Sequence, residues 1–163
     1  MAQAFETPHH FELISSDHDV SSFDCESEYL TNYIQHQALV NTKRDYERTF
    51  LCIVEDAPVS EAVTGYFSLR ASTYSFGYTV VPVVEIFALA RHVEHKGQDW
   101  GNVLLSEALA KIAEASERIG VTGVQLNPTD QGIRLYREFG FSEHPLAGNT
   151  NKMFLPIRMI PPL

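Results

Sequence analysis

The sequence predicts an α/β domain in which strands and helices alternate through the second half of the chain. Residues 80–90 form a nearly unbroken apolar run, which is typical of a strand buried on both faces. After a polar stretch, apolar side chains recur along one helical stripe, formed by Leu105, Leu109, Ile112 and Ile119. Residues 121–127 form a second strand-like run. A strand–helix–strand order implies that the two strands pair in parallel, with the helix packed on the sheet.

The remaining elements follow from residue patterns taken in chain order. The long helix is expected to stop at Gly120, and a short helix opened by Pro128 is expected to stop at Gly140. Pro156 indicates that the last strand lies partly at a sheet edge, because proline donates no hydrogen bond to a neighbouring strand. A further helix is predicted from residue 29 to about residue 41. Strands are predicted at 11–15 and 49–55, as one strand or a pair at 63–68 and 71–78, and at 141–144 and 152–159.

Length and charge set the first limits on function. The chain has 163 residues, which fits one domain over residues 1–163, with residues 1–10 expected as a flexible tail. The 12 Lys and Arg residues against 21 Asp and Glu residues give a net charge of −9. General binding to nucleic acid or to an anionic membrane is therefore not expected. Hydrophobic residues make up 44% of the chain, which excludes intrinsic disorder.

The start of the chain and its cysteines predict a cytoplasmic protein. No basic segment followed by an apolar one opens the sequence, so no signal peptide is expected. No apolar run approaches the roughly 18 residues of a membrane span. Cys25 and Cys52 are too few for a disulfide framework and are expected as free thiols. His92 and His95 are candidate metal ligands, but the sequence places no further ligand beside them, so no metal is expected.

The first candidate site is the junction from residue 88 to residue 102, where the buried strand gives way to the long helix. Free backbone N–H groups at a helix start form an anion site that the helix dipole strengthens. Gly97 and Gly101 permit close approach of a ligand to the backbone, and Lys96 adds a cation. The alternative is that these glycines are simple turn residues, which is their commoner use before a helix.

The second candidate site is Tyr136, within the segment 135–141. A phenol has an ordinary pKa near 10, which makes this tyrosine a plausible acid for a leaving thiolate. The alternative is a core residue, because a tyrosine one helical turn before a Gly-Phe strand entry usually packs inside.

Taken together, the two segments resemble the GNAT superfamily of acetyl-CoA-dependent N-acetyltransferases. The resemblance implies a mixed, mostly antiparallel central sheet of six or seven strands flanked by about four helices. It implies acetyl-CoA as co-substrate, and it implies that Tyr136 protonates the departing coenzyme A. The backbone at the strand end would pair with the pantetheine and the thioester carbonyl. The residues implied to bind the cofactor are Leu89, Ala90, Arg91, Lys96, Gly97, Gln98, Asp99, Gly101 and Asn102.

Two positions depart from the usual motif of this superfamily. Lys96 replaces Gln or Arg and keeps a donor, whereas Asp99 replaces the first motif glycine. Aspartate tolerates the left-handed backbone region better than most residues. Its carboxylate would nevertheless lie beside the pyrophosphate, where each like-charge pair costs on the order of 1 kcal/mol. As a good N-cap residue, it would also compete for the amides that hold phosphate. We therefore expect Asp99 to weaken cofactor binding.

Glu85 is the one acid in the apolar strand. It precedes Lys96 by the interval found for the strand glutamate that serves as general base in the histone-acetyltransferase branch. A carboxyl in an apolar strand is expected to have a raised pKa, which would suit deprotonation of an ammonium acceptor. The alternative is a structural carboxyl paired with an arginine or a backbone donor.

A narrower likeness points to the toxin-type branch of the superfamily, whose members acetylate aminoacyl-tRNA and pair with a ribbon-helix-helix antitoxin. The segments that carry it are Phe23-Asp24-Cys25, Leu30, Arg48-Thr49-Phe50, Val81-Pro82-Val83 and the Tyr136 segment. The net charge argues against a tRNA substrate. Two basic groups, Lys43 with Arg44 and Arg48, and Arg134 with Arg137, would either steer an anionic acceptor or form solvated faces.

Three functions follow from these features. The leading prediction is an N-acetyltransferase that transfers acetyl to a primary amine of a small molecule or peptide, by direct attack in a ternary complex. The first alternative is the tRNA-acetylating toxin with an antitoxin partner. The second is a degenerate domain in which Asp99 weakens or blocks coenzyme A binding and the chain acts as a binding module. Related domains are often dimers, so a homodimer is an open expectation.

Overall fold

The computed structural model describes residues 3–143 and 151–161 of the chain. Its helices are α1 (Glu28–His36), α2 (Ala38–Lys43), α3 (Trp100–Ser116) and α4 (Ile133–Glu138). Its strands are β1 (His9–Leu13), β2 (Arg48–Val54), β3 (Val63–Phe76), β4 (Thr79–Arg91), β5 (Gly123–Leu126), β6 (Ser142–Glu143) and β7 (Met153–Pro156). Short 3-10 turns at Ala4–Glu6, Val59–Glu61, Val93–His95 and Ile157–Met159 lie between or beside these elements.

The strands form one sheet in the order β1-β2-β3-β4-β5-β7-β6. The pairs β1–β2, β2–β3, β5–β7 and β6–β7 are antiparallel. The strands β4 and β5, which flank the long helix α3, pair in parallel through Val84 with Val124 and Glu85 with Gln125. The predicted mixed, mostly antiparallel α/β fold is therefore confirmed, including the parallel pair implied by the strand–helix–strand order.

The chain divides into two compact units, each with its own apolar core. The first unit contains the chain up to Leu69 together with Ala88–Leu105, and the second contains Arg70–Phe87 and the chain from Ser106 onward. Fully buried side chains of the first unit are Phe23, Ile34, Leu51, Tyr66, Phe67, Trp100 and Leu104. Those of the second are Leu109, Ile112, Val124, Leu126, Met153 and Leu155. The prediction of a single domain over 1–163 stays a prediction.

Two helical predictions differ from the structure. The helix predicted from residue 29 to residue 41 is divided at Gln37, where φ is −121° and the N–H still bonds Tyr33 O at 2.9 Å. The long helix ends at Ser116 rather than at Gly120. Glu117 N–H already bonds the third carbonyl back, Glu114 O, at 3.2 Å, which tightens and ends the helical ladder. Ile119 is consequently 67% exposed and is not part of the apolar stripe.

The structure refines three strand predictions. The segments 63–68 and 71–78, predicted as one strand or a pair, belong largely to the single strand β3. The run 80–90 is not buried throughout, because Val80 and Pro82 are exposed and buried positions are interspersed with half-buried ones from Val83 onward. The last strand β7 lies between β5 and β6, but in the described chain β6 pairs only with Met153 and Phe154, so β7 is partly an edge strand, as Pro156 predicts. Pro156 is tolerated because it pairs with Gly123 beyond the two residues that β6 contributes. Of the strand predicted at 141–144, residue 144 lies outside the described residues.

The first residues of the described chain are ordered, which differs from the flexible tail expected over 1–10. Ala4 is fully buried within the turn Ala4–Glu6, and its N–H bonds Gln98 O at 2.8 Å. His9 and His10 begin the strand β1. The physical reason is tertiary, because this segment packs on the loop before α3 rather than extending into solvent. Residues 1 and 2 of the expected tail lie outside the described residues.

Candidate active site

The loop between β4 and α3 is fixed at its start by two backbone hydrogen bonds. His92 N–H bonds Thr64 O, and Val93 N–H bonds Asp24 O, each at 2.7 Å. At its end, Trp100 is 1% exposed and anchors the first turn of α3 in the core of the first unit. The loop residues between these anchors are the ones for which the sequence predicts phosphate binding.

The backbone of this loop enters the left-handed region twice. Gly97 has φ of 78°, and Asp99 has φ of 64°. The backbone therefore explains why the usual motif has glycine where this chain has Asp99. The position needs a positive φ, which glycine and aspartate can adopt and most residues resist. The fold accommodates the substitution without losing the loop conformation.

The first amides of α3 are available to an anion. The ladder begins with Val103 N–H on Asp99 O at 3.3 Å, so Trp100, Gly101 and Asn102 have no acceptor within the helix. Asp99 is exposed, and among the residues that the structure describes its carboxylate accepts no hydrogen bond from these amides. The expected competition by capping is therefore not formed in this structure. The negative charge of Asp99 remains as the reason to expect weaker cofactor binding.

Lys96, the predicted phosphate donor, pairs with an acid across the loop. Its Nζ lies 3.4 Å from Oε1 of Glu26, and the Lys96 side chain is 61% exposed. Glu26 itself has φ of 71°, which places its carboxylate on a tight turn before α1. A phosphate that recruits Lys96 has to compete with this carboxylate.

Replacing Glu26 with glutamine is expected to tighten acetyl-CoA binding, because it releases Lys96 from its acid partner. An exposed ion pair is worth about 1 kcal/mol at most, so the expected decrease in Kd is up to about fivefold. Isothermal titration calorimetry measures it. Glu28→Gln is the matched control, since it removes the same charge from an exposed position that no described ion pair uses. Equal Kd values for the two variants would show that only net charge matters.

Aromatic rings support the loop from behind. Trp100 Nε1 lies 3.4 Å from Oε1 of Gln98, and the rings of His9 and His95 meet the Trp100 ring edge-on at 5.3 and 5.9 Å. Burial lowers the pKa of His95, so the imidazole facing the indole is neutral at physiological pH. Together with the bond from Ala4 to Gln98, these contacts hold the loop conformation. Sequence reasoning missed the contribution of Ala4, and no local pattern signals it.

Tyr136 lies in α4 of the second unit and is 8% exposed. Its ring meets Phe141 edge-on at 5.8 Å, and a Cβ added at Gly132 would lie 3.0 Å from it, so the ring is held on two sides. In the described part of the chain its hydroxyl has no hydrogen-bond partner. Burial raises the pKa of Tyr136 to about 12. The phenol is therefore protonated throughout the physiological range, as a general acid must be before it acts.

Glu85 is paired with an arginine, which is the alternative that the sequence left open. Oε2 of Glu85 lies 2.5 Å from Nε of Arg70, and the carboxyl residue is 5% exposed. The Arg70 guanidinium also lies 4.2 Å from the centre of the Phe87 ring. A charge-assisted hydrogen bond of this kind is stronger than one between neutral groups. The arrangement supports a structural role for Glu85, and its role as a base stays a prediction.

Gln125 is a polar residue that sequence reasoning missed. It is fully buried on β5, directly opposite Glu85 in the parallel pair. Its Nε2 donates to Oγ of Ser72 at 3.1 Å, whereas its Oε1 is buried and has no hydrogen-bond partner within residues 3–143 and 151–161. The available signal was a glutamine within the apolar run 121–127, the same anomaly that made Glu85 stand out.

Most residues of the two basic groups have partners of their own. Arg48 bonds Oδ1 of Asp45 at 2.7 Å, Arg134 bonds Glu138 at 3.1 Å, and Arg137 bonds Glu143 at 2.9 Å. Lys43 and Arg44 are exposed at the end of α2, and neither has an acid partner among the described residues. The interpretation as a solvated face therefore fits Arg134 and Arg137 better than it fits Lys43 and Arg44.

The described residues form neither a metal-binding cluster nor a membrane-spanning helix. Within residues 3–143 and 151–161, no group of three or more His, Cys, Asp and Glu side chains is arranged to hold a metal ion. Cys25 and Cys52 are buried and form no disulfide with any described residue. In the same ranges, no helix has both the length and the apolar character to cross a membrane.

Comparison with known families identifies one match. The model of the acetyltransferase (GNAT) family matches residues 10–141, which include the loop at Lys96–Gly101, Glu85 and Tyr136. The match covers most of the chain.

Individual relatives resemble the chain over nearly its whole length. The probable toxin TacT of Sinorhizobium fredii is 26% identical over 163 residues, covering 88% of this chain and 87% of its own. A mutant of the AtaT toxin, bound to the C-terminus of the antitoxin AtaR and to acetyl-CoA, has a TM-score of 0.82 at 22% identity, covering 92% of this chain and 94% of its own. AtaT complexed with acetyl-methionyl-tRNAfMet has a TM-score of 0.81 at 23% identity, covering 92% of this chain and 95% of its own.

Proposed function

The chain belongs to the GNAT acetyltransferase family, and from this premise we propose that it is a toxin that acetylates the amino group of aminoacyl-tRNA under the control of an antitoxin. The observation that carries the proposal is the near full-length likeness to the probable toxin TacT. The likeness in fold to AtaT, which is known bound to an acetylated aminoacyl-tRNA and to an antitoxin segment, agrees with it. We place the activity in the cytoplasm, where aminoacyl-tRNA is found.

This proposal replaces the leading sequence prediction of a small-molecule or peptide acceptor. That prediction relied on the net charge of −9. Net charge weighs every residue equally, whereas binding of phosphates depends on the cations present at one face. Lys43 and Arg44 are exposed at the end of α2, and neither has an acid partner among the described residues. These two cations are therefore available to meet RNA phosphates.

The loop before α3 fits the pyrophosphate of acetyl-CoA. The amides of Trp100, Gly101 and Asn102 lack helical acceptors, and Gly97 adopts φ of 78° with no atom within 4 Å of a Cβ added there. An anion there would be held by the amides and by Lys96. The remaining implied residues, Leu89 to Arg91 and Gln98, would contribute backbone and side-chain contacts. When bound, acetyl-CoA supplies an acetyl group activated as a thioester.

Tyr136 is the general acid of the proposed reaction. The amine nitrogen of the acceptor attacks the thioester carbonyl carbon, so that a C–N bond forms and the C–S bond breaks. Tyr136 gives its proton to the departing sulfur, while the nitrogen releases one proton to solvent. With a pKa of about 12 in the free protein, the resulting phenolate takes a proton back from solvent, and the enzyme returns to its starting state. The net products are the acetylated amine and coenzyme A.

The degenerate alternative is tested at Asp99. Removing its charge by Asp99→Asn is expected to lower the Kd for acetyl-CoA about fivefold, the equivalent of one like-charge pair in solvent. Asparagine keeps the tolerance for φ of 64°. Asp99→Gly should give a similar gain, whereas Asp99→Ala loses part of it to backbone strain. Calorimetric titration of the three variants against wild type measures these values. No binding by wild type, with binding restored in Asp99→Asn and Asp99→Gly, would support the degenerate alternative instead.

The function itself is tested with labelled acetyl-CoA and a mixed pool of aminoacylated tRNA. We expect label on the amino acid attached to tRNA and none on deacylated tRNA, with growth arrest when the protein is expressed without an antitoxin. A mixture of free amines and peptides is the parallel substrate. If the free amines or peptides are labelled and aminoacyl-tRNA is not, the prediction of a small-molecule or peptide acceptor would be supported instead.

A further inference from the structure

We propose that Gln125, with Glu85 beside it, forms the subsite that holds the acceptor's amino group. The proposal rests on the proposed function and deepens it, because it names residues that recognise the amine. The subsite lies within the second unit and consists of side chains from three strands, Ser72 of β3, Glu85 of β4 and Gln125 of β5.

The register places these groups together. Glu85 and Gln125 are direct partners in the parallel pair, so their side chains leave the sheet on the same face. Gln125 Nε2 donates to Ser72 Oγ at 3.1 Å, which fixes the orientation of the amide. Its carbonyl oxygen is then held in place, buried and without a donor among the described residues. The amide is thus oriented by one partner and lacks a second in this part of the chain.

A buried acceptor without a donor is destabilising and rare in native proteins. Gln125 Oε1 is such an atom in a residue that is 0% exposed. Where a native protein retains such a group, a functional role or a bound water or ion explains it. The missing partner must be a hydrogen-bond donor, and the substrate of the proposed reaction brings one, the N–H of its amine.

The charge balance favours a neutral amine over a metal ion. Arg70 already neutralises Glu85 through the contact between Nε and Oε2, so the cluster has no excess negative charge for a cation. A neutral amine can donate one N–H to Gln125 Oε1 and keep its lone pair for attack. The Arg70 side chain is 37% exposed, so the cluster reaches the protein surface on its side.

The test replaces Gln125 with methionine, which keeps the volume and removes the acceptor. We expect KM for aminoacyl-tRNA to rise about tenfold, the worth of one good hydrogen bond, with Kd for acetyl-CoA unchanged. Because an unsatisfied group is removed, the melting temperature should not fall. Ser72→Ala, which only loosens the amide, should raise KM by a smaller factor. Gln131→Met is the matched control, since Gln131 is exposed on a turn before α4.

The possible outcomes separate this subsite from the proposed function. An unchanged KM in both Gln125→Met and Ser72→Ala would overturn the subsite, whatever happens to stability. If wild type acetylates no aminoacyl-tRNA, the proposed function fails and the subsite is tested by binding alone. Methionine methyl ester is then titrated into protein saturated with coenzyme A and followed by NMR. Binding that Gln125→Met weakens supports the subsite, and equal or absent binding in both proteins overturns it.

Discussion

Replacing Tyr136 with phenylalanine is expected to lower kcat by about 100-fold or more, the usual contribution of a positioned general acid. The phenol is buried, and burial raises its pKa to about 12, so it carries a proton at the moment the thiolate leaves. Phenylalanine has no proton to give. The Kd for acetyl-CoA should stay within about twofold of wild type, because the change removes an acid and not a binding contact. Steady-state kinetics and calorimetry measure the two quantities.

The same substitution should leave stability nearly unchanged. No described residue accepts a hydrogen bond from the Tyr136 hydroxyl, and the ring contact with Phe141 at 5.8 Å survives. Tyr78→Phe is the control, because Tyr78 is fully exposed in the same unit. A Tyr136→Phe enzyme with wild-type kcat would remove Tyr136 from the mechanism and leave its phenol as a core group. A lower kcat accompanied by a lower melting temperature would instead indicate damage to α4.

Replacing Arg70 with methionine is expected to destabilise the protein by about 3 kcal/mol, because it leaves the buried Glu85 carboxylate without its partner. The loss falls toward the lower end of the range for buried pairs, since Arg70 is 37% exposed and water reaches the guanidinium. Methionine keeps most of the packing on Phe87, which isolates the charge effect. Denaturant unfolding followed by circular dichroism gives the free energy of unfolding.

A double-mutant cycle with Glu85→Gln completes the test. If the ion pair is structural, Glu85→Gln loses less stability than Arg70→Met, and the double variant is more stable than the two single losses predict. The limbs of the profile of kcat/KM against pH then lie at the same pH in Glu85→Gln as in wild type. A profile that loses its acidic limb in this variant would instead establish Glu85 as the general base. Additive losses in the cycle would contradict the pairing itself.

Local pattern predicted the parts of the fold that local physics controls. The apolar run at 80–90 became β4, and the stripe through Leu105 and Ile112 became α3, because burial periodicity follows directly from side-chain spacing. The glycine and aspartate before α3 signalled a left-handed loop, and φ of 64° at Asp99 agrees with that. The ends of the helices and strands were predicted less accurately. Helix ends depend on competing local hydrogen bonds, as at Glu117, which periodicity does not contain.

Residue patterns were enough to predict the family resemblance, the order of the elements and the candidate chemistry at Tyr136 and in the loop before α3. The partner that each charged or polar group acquired was visible only in the folded chain. Arg70 meets Glu85 across two strands, and Lys96 meets Glu26 although 70 positions separate them. Such pairs depend on strand register and on the closure of long loops, which are set by the packing of the whole chain. For that reason the sequence pattern placed Glu85 in an apolar strand but could not identify Arg70 as its partner.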